Sequence, residues 1–457
     1  MISRALESLG LRPLSEQRPL TANWRIFRAL VVVGACSTIA KLAATGKEIA
    51  VAGWFGRNDD LDAFLVAMIL PTTVVGLLAS SFSGSISPSY IKIREMQGVA
   101  AAQELFSSIQ LASFVLLIGI FLLLAATAPY YLPILASGFN SEKLRLTLRL
   151  SYVVLPFLIL SGVEAVWSAI LNAGEKFALP AVIPVVTPLI TVVFLLGLGR
   201  IWGVYALATG VVAGAFVELI ILAFAMRAHG IRLRPRWYGV SSELLHVMRQ
   251  YAPLAVSALI MSASFLINQS MAAMLKGGSV SALSYGNKII NVVTTLTSAA
   301  IYTAILPYFS QMVARKDWSA CRRTVKVYSG LILAATIPLT LGLILASRPL
   351  VRVLYQRGAF TETDTAVVST VQICFAIMIP FYTWATLFVR LLSSLTRNHI
   401  LAYGAAINIT LNVILNLLLM RRLGVAGIAL ATSIVSIFTC MFAGFFALKA
   451  LRQEEQG

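Results

Sequence analysis

Apolar runs of about 20 residues recur from one end of this 457-residue chain to the other, each long enough to cross a bilayer core as a helix. Hydrophobic residues make up 59% of the chain and charged residues 12%, too little charge to clothe a soluble fold of this length. The expected fold class is therefore an all-α polytopic membrane protein. Twelve transmembrane helices are expected, near 27–55, 61–91, 106–128, 147–172, 177–198, 203–226, 251–275, 280–313, 325–346, 365–394, 398–420 and 424–449. An even number puts both termini on one side. With the termini in the cytoplasm, lysine and arginine favour the cytoplasmic segments by about two to one. The net charge of +18 follows from that bias and calls for no nucleic acid. Two basic stretches fall outside, around Lys143, Arg145 and Arg149 and over 348–357, and are expected as amphipathic helices on the outer surface.

The longest internal connection, RAHGIRLRPRWYG at 227–239, separates six spans from six and carries arginines suited to an anionic inner leaflet. Either side of it the chain repeats itself. SAILNAGEKFALPAVIP at 168–184 and LLSSLTRNHILAYGAAI at 391–407 occupy equivalent places, and ALATG at 206–210 answers ALATS at 429–433. The sequence thus divides into a cytosolic leader (1–26), an N-lobe of six spans (27–226), a basic cytoplasmic linker (227–250), a C-lobe of six spans (251–449) and a cytosolic tail (450–457). Two pseudo-symmetric six-helix lobes around a central cavity are the arrangement expected of a secondary transporter, with the substrate between the halves.

A charge at mid-span costs about 2.5–3.5 kcal/mol on insertion scales, so each one is a candidate for function. The first span carries Lys41, Lys47 and Glu48, and the eighth carries Lys288. Three ammonium groups converging from two lobes would make a site for phosphate oxygens. Lys47 has a simpler alternative, snorkelling to the outer interface. Asp62, Glu48, Glu164 and Glu218 are candidates for lining or gating the cavity. Glu164 and Glu218 read equally as ion-pair partners, Glu218 also as a carrier of a coupling proton, and Asp62 also as a first-turn acid facing a helix dipole. Soluble-enzyme chemistry is not indicated. The chain has no P-loop, no large outer loop, four scattered cysteines and three distant histidines, so neither catalytic residues, a metal nor a cofactor is expected.

Several stretches carry a resemblance. DAFLVAMILPTTVVGLLASSFSGSISPSYIKIRE at 62–95, AILNAGEKFALPA at 169–181, GGSVSALSYGNKI at 277–289 and VLYQRGAFTETDT at 353–365 resemble, in order, motifs of the MurJ/MviN lipid II flippases. That family lies within the multidrug/oligosaccharidyl-lipid/polysaccharide exporter superfamily. The resemblance implies a flippase moving a polyprenyl-diphosphate-linked sugar across the bacterial cytoplasmic membrane by alternating access. It places the family's basic residues on Lys41, Lys47 and Lys288, where arginine is usual, and its span-two aspartate on Asp62. The family's further basic residue of span two falls on Val75, and the family usually has fourteen spans. A carrier lipid bearing a polysaccharide unit therefore stands beside lipid II as the cargo. The partners implied are that glycan lipid, the surrounding membrane lipids and a coupling ion (proton, sodium or chloride), with the chain a monomer. The alternatives are a drug or cation antiporter of the same superfold, which calls for an acidic cavity, and a membrane glycan polymerase or ligase, which calls for a large outer loop.

Overall fold

The computed structural model describes residues 22–239 and 242–456, so most of the expected leader lies outside the described residues. Within them every regular element is a helix, without a strand. The first half comprises α1 (Ala22–Phe55), α2 (Asp59–Leu135), α3 (Ser141–Val154), α4 (Pro156–Ala173), α5 (Ala178–Val182), α6 (Val186–Trp202) and α7 (Val204–Ala228). The second comprises α8 (Ser242–Ala273), α9 (Ser279–Ala314), α10 (Trp318–Leu345), α11 (Ser347–Tyr355), α12 (Glu362–Ala376), α13 (Met378–Ser394), α14 (Asn398–Leu423) and α15 (Val425–Gln456). The 77-residue α2 is broken at Gly98, whose φ of 91° and ψ of 176° end one helix and start another. Nine stretches among the described residues are long and apolar enough to cross a membrane. The other long helices, α1, α8 and α9, contain 34, 32 and 36 residues.

The backbone itself recurs between the halves. The N-caps Asn58 and Gly278 are 220 residues apart, and Asn140 and Thr361 are 221 apart. The kinks at Leu155 and Ile377 are separated by 222 residues, left-handed Glu175 and Thr396 by 221, and Gly203 and Gly424 by 221. The two glycines also share a conformation, φ 54° and ψ −130° against φ 58° and ψ −136°.

Three apolar cores divide the molecule unequally. The largest draws on both halves, joining Val51, Phe55, Leu61 and Phe64 to Met271, Leu283, Tyr285, Tyr355 and Phe375. These residues cluster around the α1–α2, α8–α9 and α11–α12 turns. A second core, from Leu78 to Met226, belongs to the first half alone, and a third, from Ile301 to Ala450, to the second alone. The halves are thus fused at the turn end and keep separate cores at the other.

The basic connection is laced down rather than loose. Residues 231–239 run extended along α2, where Gln103 exchanges two hydrogen bonds with the Arg232 backbone, at 2.8 and 3.1 Å. Ser107 Oγ accepts from Arg236 N at 2.6 Å, and Gln110 donates to Leu233 O at 3.2 Å. Ile231 and Leu233 pack on the first-half core, which turns Arg232, Arg234 and Arg236 outward. The α11 helix matches the surface amphipathic helix expected over 348–357, with Val351 and Tyr355 buried and Arg348 and Arg352 exposed. The α3 helix does so only in part, with Arg145 and Arg149 exposed. Lys143, expected on the outer surface, is only 8% exposed.

Lipid offers no hydrophobic force between helices, so packing and polar contacts hold them. In the second half Asn416 of α14 donates to Asn268 Oδ1 of α8 at 2.8 Å and to Asn412 Oδ1 at 3.2 Å. Asn268 in turn donates to Thr432 of α15 at 3.0 Å. Asn412 and Asn416 are 1% and 0% exposed. Asn416→Leu is expected to lower stability by about 0.6–1.7 kcal/mol, read as a fall in the thermal midpoint of the purified protein, because it leaves the other amides short of a donor.

Candidate functional site

The α1–α2 turn, the start of α9 and the α11–α12 turn meet in a polar seam. Gly56, at φ 60°, lies against Ala359 so closely that no side chain fits there. Ala359 N donates to Gly53 O at 2.8 Å, and Tyr285 Oη to Gly56 O at 3.4 Å. Tyr285, Tyr355 and Phe360 stack behind, with centroids 5.0–5.8 Å apart. Asn58 caps α2 by accepting from Leu61 N at 2.9 Å, which brings Asp59, Asp60 and Asp62 into the first turn. Asp62 does not face its own helix dipole alone. Its carboxylate accepts from Gly278 N at 2.7 Å and Ser281 N at 2.8 Å, at the amino end of α9. Gly278 itself has φ 79°, and a Cβ there would strike the Arg57 backbone and side chain. Arg57 forms an ion pair with Asp364, Nε to Oδ1 3.3 Å, without hydrogen-bond geometry. Asp364 is fixed by a capping box with Thr361.

Below the seam is a cavity of about 380 Å³. It is lined by Lys47 and Glu48 of α1, Lys288, Asn287 and Asn291 of α9, Gln269 of α8, Thr72 of α2 and Thr187 of α6, with Phe64, Phe157 and Phe265 among its apolar walls. Lys47 and Glu48 precede the seam on α1 by about as many residues as Lys288 follows it on α9. At 1.5 Å per residue both lie roughly 13–15 Å inward, close to half of a 30 Å hydrocarbon layer. Glu48 joins them. Its Oε1 is 3.1 Å from Lys47 Nζ and 3.0 Å from Lys288 Nζ. The three side chains are 22%, 15% and 44% exposed, so they face open space. Gln269, 8% exposed, has a buried Oε1 without a partner among the described residues.

The other expected residues are more scattered. Lys41 is exposed and outside this cavity, roughly 9 Å along α1 from Lys47 and on another face. It forms no ion pair among the described residues. Glu218, 4% exposed, accepts from Thr187 N at 2.9 Å, just behind the cavity wall. Glu164 is half-buried on α4, which packs against α7, the helix that carries Glu218. Asp62 belongs to the seam rather than the cavity. Sequence reasoning missed Lys143, Gln269 and Thr187, because a lysine on an amphipathic helix and neutral polar groups in apolar helices carry no distinguishing signal.

A bundle of long apolar helices enclosing a charged cavity where its two halves meet defines a polytopic membrane carrier. Comparisons with known proteins agree. The family model described as "Lipid II flippase MurJ" matches residues 51–457. A probable lipid II flippase MurJ of Synechocystis sp. is 24% identical over 426 residues, covering 89% of this chain and 79% of that one. That of Thermotoga maritima is 26% identical over 421 residues, covering 88% and 81%. Among solved structures, a lipid II flippase MurJ in an inward closed conformation superimposes with a TM-score of 0.78 at 19% identity, covering 93% of this chain and 90% of that one. An inward-facing multidrug resistance MATE transporter of the MOP superfamily gives 0.76 at 12% identity, covering 93% and 99%. The chain belongs to the lipid II flippase MurJ family. It is accordingly a flippase of a lipid-linked sugar precursor, a multi-pass protein of the inner membrane and a transporter rather than an enzyme.

Glu48 is the only carboxylate shared by the two cavity lysines among the described residues. Glu48→Gln leaves two ammonium groups facing each other and is expected to lower the thermal midpoint, and millimolar pyrophosphate is expected to restore it. Differential scanning fluorimetry with and without pyrophosphate checks this, chloride at equal ionic strength serving as the control.

Proposed function

We propose that the Lys47–Glu48–Lys288 triad is where the diphosphate of a polyprenyl-linked glycan rests midway across the membrane. One observation carries the reading: two lysines 241 residues apart in sequence share a single carboxylate oxygen inside a cavity. Glu48 there occupies the place of an anion. A diphosphate, with more charge and more acceptor oxygens, displaces it and keeps both ammonium groups satisfied. The triad carries a net positive charge, which suits an anionic head group and opposes the cation-antiporter alternative.

The mechanism is alternating access by two lobes, 27–226 and 251–449, joined by the linker 227–250. The nine apolar stretches together with α1, α8 and α9 make twelve crossings. The recurring backbone landmarks support duplication, and the core shared only at the turn end supports a resting state closed there and parted at the opposite end. With both termini and the tail 450–457 cytoplasmic, the seam faces outward and the parted end faces the cytoplasm. The head group then meets exposed Lys41 first, on the cytoplasmic half of α1, and the triad next. Glu218 and Glu164 are the acids that answer a coupling proton or sodium, whereas chloride would pair with the lysines, and Asp62 guards the exit. The polyprenyl tail stays in lipid throughout. The cargo is lipid II or a related carrier lipid bearing a polysaccharide unit, handled by a monomer.

Losing one charge-assisted contact to phosphate is worth about 1.5–3 kcal/mol, so Lys288→Ala and Lys47→Ala are expected to slow flipping roughly ten- to a hundredfold. Lys288→Arg, which keeps the charge, should retain most activity. Flipping of a fluorescent polyprenyl-diphosphate glycan in proteoliposomes measures this, and wild-type rates in both alanine variants would overturn the phosphate site.

A further inference from the structure

Lys143 has no part in the cavity, yet it is among the most deeply buried charges described. Its Nζ lies 2.7 Å from Asp59 Oδ1 and 3.2 Å from Asp62 Oδ2, and 3.9 Å from the centre of the Phe139 ring. It is 8% exposed and Asp62 is 1% exposed. Asp62 therefore has two kinds of partner. Lys143 belongs to its own half of the chain, while the amides of Gly278 and Ser281 come from the other.

A carboxylate this buried is costly unless its charge is matched. The two amides and the amino end of α9 supply partial charges, and Lys143 supplies a full one. The balance changes when the seam parts. The amides withdraw, water reaches Asp62, and the carboxylate no longer depends on the lysine. Lys143 thus stabilises the closed seam far more than the open one. Its neighbours fit that role: Asp59, 60% exposed, takes up the spare donor capacity, and Phe139 covers the ammonium from the side.

We infer that Lys143 is a positioning residue for transport, the counter-charge that sets how readily the outer seam opens. The inference rests on the alternating-access reading above, but its test does not depend on the lysine cavity. The measurement is hydrogen–deuterium exchange of the full-length protein in lipid nanodiscs, followed at 276–285 and 53–62. Lys143→Met is expected to speed exchange there about tenfold, because a buried carboxylate loses its partner, while α6 and α7 stay at the wild-type rate. Lys143→Met combined with Asp62→Asn removes both charges and keeps one acceptor oxygen for one of the two α9 amides, and is expected to slow exchange part of the way back towards wild type. A merely structural lysine predicts the reverse, since the double variant loses more polar contacts than the single one. If Lys143→Met does not fold, Lys143→Arg should exchange as wild type and Lys143→Gln should exchange faster. Wild-type exchange in Lys143→Met, or no slowing in the double variant, overturns the proposal. Lys288→Ala separates the two readings: it should slow flipping roughly ten- to a hundredfold with the seam's exchange unchanged. Normal flipping in that variant and in Lys47→Ala sinks the phosphate site and leaves the seam inference standing.

Discussion

Inside a bilayer a charge or an amide has no water to turn to, so every polar group kept there must be matched by another part of the same chain. In this protein the matches reach far along the sequence. Glu48 and Lys288 are 240 residues apart, Asn268 and Asn416 are 148 apart, and Asp62 and Lys143 are 81 apart. Each contact ties together helices that apolar surface alone would not hold, since lipid tails compete for the same surface. Polar satisfaction therefore does two jobs. It assembles the bundle, and it leaves Lys47, Glu48 and Lys288 together at a cavity between the two halves of the chain.

The polar groups are arranged in two levels. At the seam, backbone amides of one half hold a carboxylate of the other, and glycines at 56 and 278 let the main chains approach. Roughly 13–15 Å along the helices from that seam, side chains take over: two lysines and a glutamate face open space. The seam is tight because its partners are short and fixed. The partners in the cavity are long and partly exposed. A carrier requires that difference, since its gate must be specific to the protein and its site must be specific to the cargo.

Much of this was legible beforehand. Lys47, Glu48 and Lys288 stood out because a charge in an apolar run has no ordinary reason to be there. The ALATG and ALATS repeats anticipated the backbone landmarks at Gly203 and Gly424, which recur at nearly the same spacing. Lys143 was read wrongly for a definite reason. Its segment, SEKLRLTLRL, sets Glu142, Arg145 and Arg149 at the three- and four-residue spacing of a surface helix, and nothing in it reveals that two acids from 84 and 81 residues earlier will close over another of its faces. Lys41 was expected to converge with Lys47 and Lys288 on one pocket, although six residues of helix set it on a different face from Lys47, and only Lys47 and Lys288 line the cavity.

What the sequence determined alone is the class of solution: hydrophobic length and the scarcity of charge leave only a helical, membrane-spanning chain. Which charges meet was decided only by tertiary structure. Residue spacing within one helix says where a side chain points, whereas pairing depends on how distant helices cross, and that crossing is settled by packing small residues and glycine turns against one another rather than by any local pattern.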